Sequence, residues 1–388
     1  MPLPFKSSLT KSVLVLLLTG LLAAQRVGYS LPVRAASGMP DSPEFGYGAR
    51  LDIWGQEVEL ALKAAAGVGV EWIGVDFDWR RHWPDASDPV DLDRLDQVMS
   101  LAGAQKLNVL LSITNPPEWA KGAAGPDQNQ TAGLVVMLAK RYPETLLAIE
   151  LFPLANTARG WGASPDPQAY AAMLKSCQAA LQSAGASTLP VAGGLSPVPI
   201  GESSGDMDDV AFVSGLYQAG AADYMPILGL RLDPLEEDAL DSGGTQASRT
   251  SPVLASLRRY EDIRQIMLQF NHQTGLIWIT GFGLPEQSEQ IRWLNQAYQL
   301  MKSQLYIGVA FIDRLNPPES FTEASKSSKI PAQTLITTGV HGPTIHPALT
   351  AIGQIISLNR SGHTSFQLFL PKKLTSGEAK RSLKPRGP

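Results

Sequence analysis

Cysteine is nearly missing from this chain of 388 residues: Cys177 stands alone and excludes any intramolecular disulfide. It lies in Ala171-Ala172-Met173-Leu174-Lys175-Ser176-Cys177, an apolar-periodic stretch with no basic group or glycine-rich turn beside it. A buried structural thiol is expected there, not a nucleophile. Histidine is scarce, with five in the chain, and His341 and His346 are spaced badly for zinc on one helix face. No metal and no cofactor is therefore expected. Serine-hydrolase and phosphate-loop chemistry find no support, since no nucleophile elbow and no Gly-x-x-x-x-Gly-Lys loop is read. An excess of one charge is missing too: 32 Lys and Arg face 36 Asp and Glu, for a net charge of −4. That balance gives no reason to expect nucleic acid or an anionic membrane as the main partner.

Hydrophobic residues make up 44% of the chain, an ordinary globular composition with length enough for one large core. Lys6 and Lys11 precede an apolar run from Val13 to Ala24, relieved only by Thr19 and Gly20. The run is shorter than the about 20 residues that a spanning helix needs. It reads as a secretory signal segment, with Val33-Arg34-Ala35 as a passable cleavage site. Residues 1–36 are thus expected to be a signal peptide or, if uncleaved, a membrane anchor, and the protein secreted or displayed at the cell surface. Any membrane contact is expected only through that segment.

A linker at 37–44 leads into regular alternation of short β-rich runs with longer helical patterns. Strands are predicted at 45–50, 72–77, 108–114, 147–152, 189–195, 224–230, 276–280 and 307–312. Helices are predicted at 56–66, 92–105, 131–141, 167–183, 208–219, 260–273, 285–303 and 346–358. Asp91 and Asp166 are expected N-caps. The strands are apolar on both faces, as a helix-covered parallel sheet requires. Eight such units predict a single-domain (β/α)8 TIM barrel over 45–358; no Gly-rich dinucleotide loop follows the first strand to favour an open doubly wound sheet. Long stretches at 233–252 and 316–343 follow the sixth and eighth strands, at the face where barrels build their sites. Residues 359–388 lose periodicity, are rich in Lys and Arg, and are expected to be a disordered tail.

Several local features carry a resemblance. Phe77-Asp78-Trp79 follows the second strand and Asn115-Pro116-Pro117-Glu118-Trp119-Ala120 the third. Gly193-Gly194-Leu195-Ser196 ends the fifth. Ala148-Ile149-Glu150-Leu151-Phe152-Pro153-Leu154-Ala155-Asn156 and Ile277-Trp278-Ile279-Thr280-Gly281-Phe282-Gly283 read like two catalytic strands. In these features the chain resembles the retaining (β/α)8 glycoside hydrolases, the clan of β-xylosidases, cellulases and β-glucuronidases. There the two segments run Glu-Ile-Trp-Asn-Glu-Pro-Asn and Trp-Ile-Thr-Glu-Phe-Gly. The resemblance implies that the acid/base and nucleophile positions are taken here by Leu154 and Gly281, neither of which transfers a proton or attacks carbon. It further implies that Gly74 stands where an arginine would, that Pro153 replaces an asparagine, and that Leu228 and Leu230 replace a His and a Tyr. An apolar mouth follows as an expectation, and with it a glycosidase-like barrel that has lost hydrolysis and acts as a carbohydrate-binding or interaction module.

The alternative is an active O-glycoside hydrolase using displaced carboxylates, with Glu118, Glu150 and Glu286 as candidates. Glu150 is read first as an interior polar residue needing a partner, and Glu286 as a helix N-terminal charge. Asp76 and Asp78 flank Phe77, and Asp313 ends the last strand as a salt-bridge or polar anchor. Trp79, Trp83, Trp119 and Trp161 all follow predicted strand ends. They either line an oligo- or polysaccharide groove or plug the mouth as loop core. For a groove, Asp78, Trp79, Arg80, Trp119, Asn156, Trp161 and Asp313 are the candidate contacts, with Arg81 and His82 beside them.

Overall fold

Eight parallel strands close on themselves: β1 (Gly46–Leu51), β2 (Trp72–Asp78), β3 (Asn108–Thr114), β4 (Leu146–Leu151), β5 (Leu189–Leu195), β6 (Ile227–Leu232), β7 (Leu276–Phe282) and β8 (Ile307–Ile312). Each pairs with its successor, and β8 returns to β1 through Gly46 beside Val309 and Gly48 beside Phe311. The computed structural model describes residues 36–198, 205–232, 257–283, 290–319, 334–339 and 342–361. Each strand is followed by a helix: α1 (Val58–Gly67), α2 (Asp93–Ala104), α3 (Gln128–Arg141), α4 (Pro167–Ser183), α5 (Asp209–Gln218), α6 (Arg259–Gln269), α7 (Gln290–Lys302) and α8 (Pro347–Ser361). This is a (β/α)8 TIM barrel in a single domain, as the alternation predicts. Among the described residues no helix is long and apolar enough to cross a membrane.

Local chemistry explains where the helices start. Asp166 accepts from the backbone N–H of Gln168 and Ala169, with Pro167 as the first helical residue of α4. Asp127 caps α3 and Asp208 caps α5 in the same way. The expected cap at Asp91 lies one residue too early, since Leu92 precedes α2 and Asp91 instead accepts from the Asp93 N–H. The largest difference in the sheet is β6. Ala222–Tyr224 winds into a 3-10 turn, so the strand starts later than predicted and runs on to Leu232.

Side chains alternate along a strand, so the pairing of Ile227 with Leu276 and of Gly229 with Trp278 decides which residues face inward. Leu228 and Leu230 pack outward into the main core beneath the helices, while Ile227 lies in a second cluster inside the barrel. That inner cluster joins Trp72, Leu110, Ala148, Val191, Ile227, Trp278, Val309 and Phe311. Trp72 and Trp278 meet edge-on with ring centroids 4.9 Å apart. Glycines make room for these rings: a side chain at Gly48 would run into the Phe311 ring.

The stretch read as a linker is part of the barrel. The indole N–H of Trp72 donates to the Ser37 carbonyl at 2.8 Å, and that of Trp278 to the Gly38 carbonyl at 3.0 Å. Ala36 and Met39 pack on the same cluster. The chain thus enters as a stopper across the N-terminal ends of the strands, where two buried indoles need acceptors. At the other end α8 continues to Ser361, past the predicted boundary at 358.

Candidate functional site

Moving two to four residues along the inward faces changes the chemistry from apolar to polar and charged. Trp72 is followed by Gly74 and Asp76, Leu110 by Ser112, and Ala148 by Glu150. Ile227 leads to Gly229 and Arg231, Trp278 to Thr280, and Phe311 to Asp313, while β1 contributes Arg50. These side chains meet. The Arg50 Nη2 donates to Asp76 Oδ1 at 2.5 Å, and the Arg231 Nη2 to the same oxygen at 3.2 Å. The Arg50 Nε stands 3.8 Å from Asp313, and the Arg231 Nη2 lies 3.8 Å from Glu150. Ser112 donates its hydroxyl proton to Glu150 at 2.5 Å. The result is an unbroken line of charges, Glu150–Arg231–Asp76–Arg50–Asp313, across the upper barrel.

A cavity of about 370 Å³ opens above this line. Arg50, Asp76, Arg231 and Asp313 form its charged walls, with Asp52, Trp54, Asp78, Arg314 and Asn316 around them. The expectation of an apolar mouth is therefore corrected. The reason is the alternation: with β6 running to Leu232, the inward residue at its end is Arg231 and not a leucine. Withdrawal from water works against ionisation of Asp76, but Arg50 and Arg231 outweigh it and hold the carboxyl below its usual range. Burial likewise opposes the charge on Arg231, yet Asp76, Glu150 and Asp313 together raise its pKa further. Asp76 is thus a fixed acceptor at neutral pH, not a proton donor.

The two positions implied by the glycosidase resemblance look different from each other. A side chain added at Gly281 would meet the Asp313 carboxylate at 3.1 Å, so a carboxylate from β8 already stands beside the place where β7 has none. Gly74 is similar: its missing side chain leaves room for the Arg50 guanidinium, 3.0 Å from where a Cβ would be. Leu154 lies past the end of β4 in a left-handed turn, φ 62°, with Phe152 also left-handed at 51°. The Leu154 N–H donates to the Gly194 carbonyl at 2.9 Å, and its own carbonyl accepts from Thr157. Left-handed backbone at a leucine costs about 1–2 kcal/mol.

Of the fallback carboxylates, Glu118 is 79% exposed and paired with Arg80 and Lys121, with Lys121 foremost in holding its pKa low. Glu150 is fully buried, and its Oε1 has no hydrogen-bond partner among the described residues. Glu286 lies outside the described residues. Of the candidate contacts, Asp78 and Asp313 reach the cavity. Trp79 and Trp161 do not line a groove: both are buried in loop core, edge-on to Trp119 and Phe152 respectively. Trp119 is partly buried and donates to the Trp83 carbonyl. Asn156 is buried and ties the Ser196 and Met207 backbone together. Arg80 turns to Glu118 and the Pro116 carbonyl. His82 is buried against Phe77, stacked at 4.4 Å, and burial lowers its pKa.

Sequence reasoning missed Arg50, Asp52, Trp54 and Arg231, and passed over Asp76. Charged residues alternating with apolar ones at the ends of β1 and β6 were the available signal. Trp54 is the aromatic residue on the cavity wall, and the Arg81 guanidinium covers its ring at 3.6 Å. Arg81 also forks onto Glu319 at 2.5 and 2.9 Å, and Asn316 binds the Asp52 and Gln56 carbonyls. The loops after β1, β2 and β8 are thereby joined along one rim. Gly201-Glu202-Ser203-Ser204-Gly205 does spell Gly-x-Ser-x-Gly, a correction to the sequence reading. It begins six residues after β5 ends at Leu195, and residues 201–204 lie outside the described residues.

Known structures can now be compared. The chain matches no protein-family model and no curated protein sequence. Among solved structures it is similar to a family 39 glycoside hydrolase from the gut symbiont Bacteroides cellulosilyticus WH2, with TM-score 0.56 and 16% identity over 81% of this chain. It spans 64% of that chain. In fold, this is a glycoside-hydrolase-like barrel. The hyperthermostable endo-1,4-β-D-mannanase of Thermotoga petrophila RKU-1 matches with TM-score 0.55 and 12% identity, covering 81% of this chain and 99% of that one. The family 1 β-glucosidase of Thermotoga maritima matches with TM-score 0.52 and 11% identity, over 81% and 98%. Identities this low carry the fold and not the activity.

Proposed function

We propose that this glycoside-hydrolase-like barrel is an exported protein that binds a sugar residue in its charged mouth without hydrolysing glycosides. The observation that carries the reading is Asp76, clamped between Arg50 and Arg231 on the floor of an open cavity of about 370 Å³. Retaining hydrolysis needs one carboxyl that keeps its proton and a second about 5–5.5 Å away that attacks. Asp76 is held ionised, Leu154 has no proton to give, and Gly281 has no side chain. Fixed carboxylates and guanidinium groups, by contrast, are well suited to sugar hydroxyls, which both donate and accept. Asp76, Asp78, Arg231 and Asp313 are the polar contacts of this reading, and Trp54 at the rim is its aromatic contact.

The alternative of hydrolysis by displaced carboxylates rests on one observation, the Asp313 carboxylate beside Gly281. A panel of aryl glycosides and polysaccharides, followed by a glycan-binding screen on the same preparation, separates the two. The expected result is no turnover, with binding that weakens at least about tenfold in Arg231→Met. Turnover that disappears in Asp313→Asn would overturn the proposal and make Asp313 the nucleophile to pursue. Neither turnover nor binding would leave a structural barrel.

A further inference from the structure

The five charges across the floor of the mouth are not equally exposed. Arg50 and Arg231 have 8% and 22% of their side chains exposed, while Asp76 between them has 52% and is the most exposed of the five. The guanidinium groups lie in the floor, and the carboxylate stands on it facing the cavity. Each guanidinium donates to Asp76 Oδ1, and no described residue donates to Oδ2. Arg50 is further engaged below: its Nη1 donates to the Thr280 carbonyl at 3.0 Å and to Ser112 at 3.4 Å. Asp76 is held ionised by its two partners, and an ionised carboxylate only accepts. The group that meets Oδ2 must therefore be a donor.

The balance of charge points the same way. Among the described residues the cavity is lined by the carboxylates of Asp52, Asp76, Asp78 and Asp313 and by the guanidinium groups of Arg50, Arg231 and Arg314. A fifth carboxylate lies beneath the floor. Glu150 is fully buried, its Oε1 has no hydrogen-bond partner among the described residues, and the Arg231 Nη2 stands 3.8 Å from its Oε2. A buried charge that is only partly met is screened far less than a surface one. A hydroxyl on Asp76 gains a hydrogen bond. A cation gains that bond and the Coulomb attraction as well, and an anion is repelled.

We propose that the sugar held in this mouth is an amino sugar, with its protonated amine seated on Asp76 Oδ2 and with Asp78 and Asp313 on the surrounding walls. This rests on the sugar-binding reading of the cavity and adds the class of sugar. Arg231 keeps its part as a donor to ring hydroxyls. A neutral sugar is the weaker ligand, and a uronic acid is the weakest.

Calorimetry with the full chain tests this on four tetramers that share one β-1,4 backbone: those of glucosamine, N-acetylglucosamine, glucose and glucuronate. At about pH 6 an amine is protonated and the carboxylates are ionised. The glucosamine tetramer should bind at least about tenfold tighter than the glucose tetramer at low salt, and the ratio should fall below about threefold in about 1 M salt. Asp76→Asn should abolish the preference. Because that variant strips Arg50 and Arg231 of their shared partner and can unfold the chain, two milder ones accompany it. Asp78→Asn should narrow the preference and Arg314→Gln should widen it, each about two- to threefold. Opposite signs at these two positions distinguish an effect of charge from the loss of a contact. Equal or tighter binding of any of the other three tetramers overturns the inference and leaves the sugar reading in place. Binding of none of the four also overturns it, and the wider glycan screen then decides whether the sugar reading falls too.

Discussion

The lower and upper halves of this barrel interior hang on the same parallel strands, two to four residues apart, and have opposite chemistry. Below, Trp72, Trp278 and Phe311 fill the axis, and the only polar atoms they bring, two indole N–H groups, find carbonyls in Ser37 and Gly38. Above, Arg50, Asp76, Glu150, Arg231 and Asp313 fill the same cross-section with paired charges, while Glu150 Oε1 and Arg231 Nε find no hydrogen-bond partner among the described residues. Rings and backbone acceptors close a barrel with little electrostatic cost. A line of ion pairs closes it at a cost in desolvation, but it leaves an open cavity with fixed donors and acceptors. The lower half is built for stability, and the upper half has room for a ligand.

Truncation should separate the two halves most strongly. Trp278→Ala in the lower half removes a fully buried indole and should cost about 3–5 kcal/mol in urea unfolding while leaving any sugar affinity unchanged. A loss below about 1 kcal/mol would mean that the lower half is not the stabilising one. Gly281→Glu tests the upper half by placing one carboxylate against another. It should cost about 1–3 kcal/mol, with much of that recovered in the double variant with Asp313→Asn. Simple additivity in that cycle would remove the contact from the account.

The pH dependence sharpens the same contrast. The folded pKa of Asp76 lies below its unfolded value, so its contribution is fully present above about pH 4 and is lost as pH falls through the folded value. Arg231→Met should make the acid limb of a stability-against-pH curve shallower, and Trp278→Ala should only displace the curve downward. The smallest effect belongs to the rim. Arg81 and Glu319 are 39% and 53% exposed, so Glu319→Gln should change stability by no more than about 1 kcal/mol. Its visible consequence should be a change in Trp54 emission as Arg81 leaves the ring; an unchanged spectrum would argue that the stack holds without Glu319.

Much of the barrel was legible because its signals are local. Asp166-Pro167 announces a helix, and runs such as Leu189–Leu195 have the length and apolar character of a covered strand. The correspondence of Leu154 and Gly281 to catalytic positions is what the glycosidase resemblance of their neighbours implies. The charged mouth was not, because Arg50 finds Asp76 on the next strand and Thr280 from the far side of the barrel. The tryptophans misled for a related reason. Sequence places Trp79 and Trp161 after strand ends, but whether an indole turns to the cavity or under a loop depends on backbone angles that no short motif records.

What the sequence determined by itself is the succession of eight strand–helix units, since periodicity and capping act over a few residues. It also determined the absence of a carboxyl at Leu154 and Gly281, which is a matter of composition. The tertiary structure alone decided that Asp313 stands beside Gly281, that Arg50 fills the space left by Gly74, and that Ser37 and Arg360 share Glu71. Closing a barrel brings residues hundreds of positions apart to within a few ångströms, and the pairing of β6 with β7 set which of its residues faced inward.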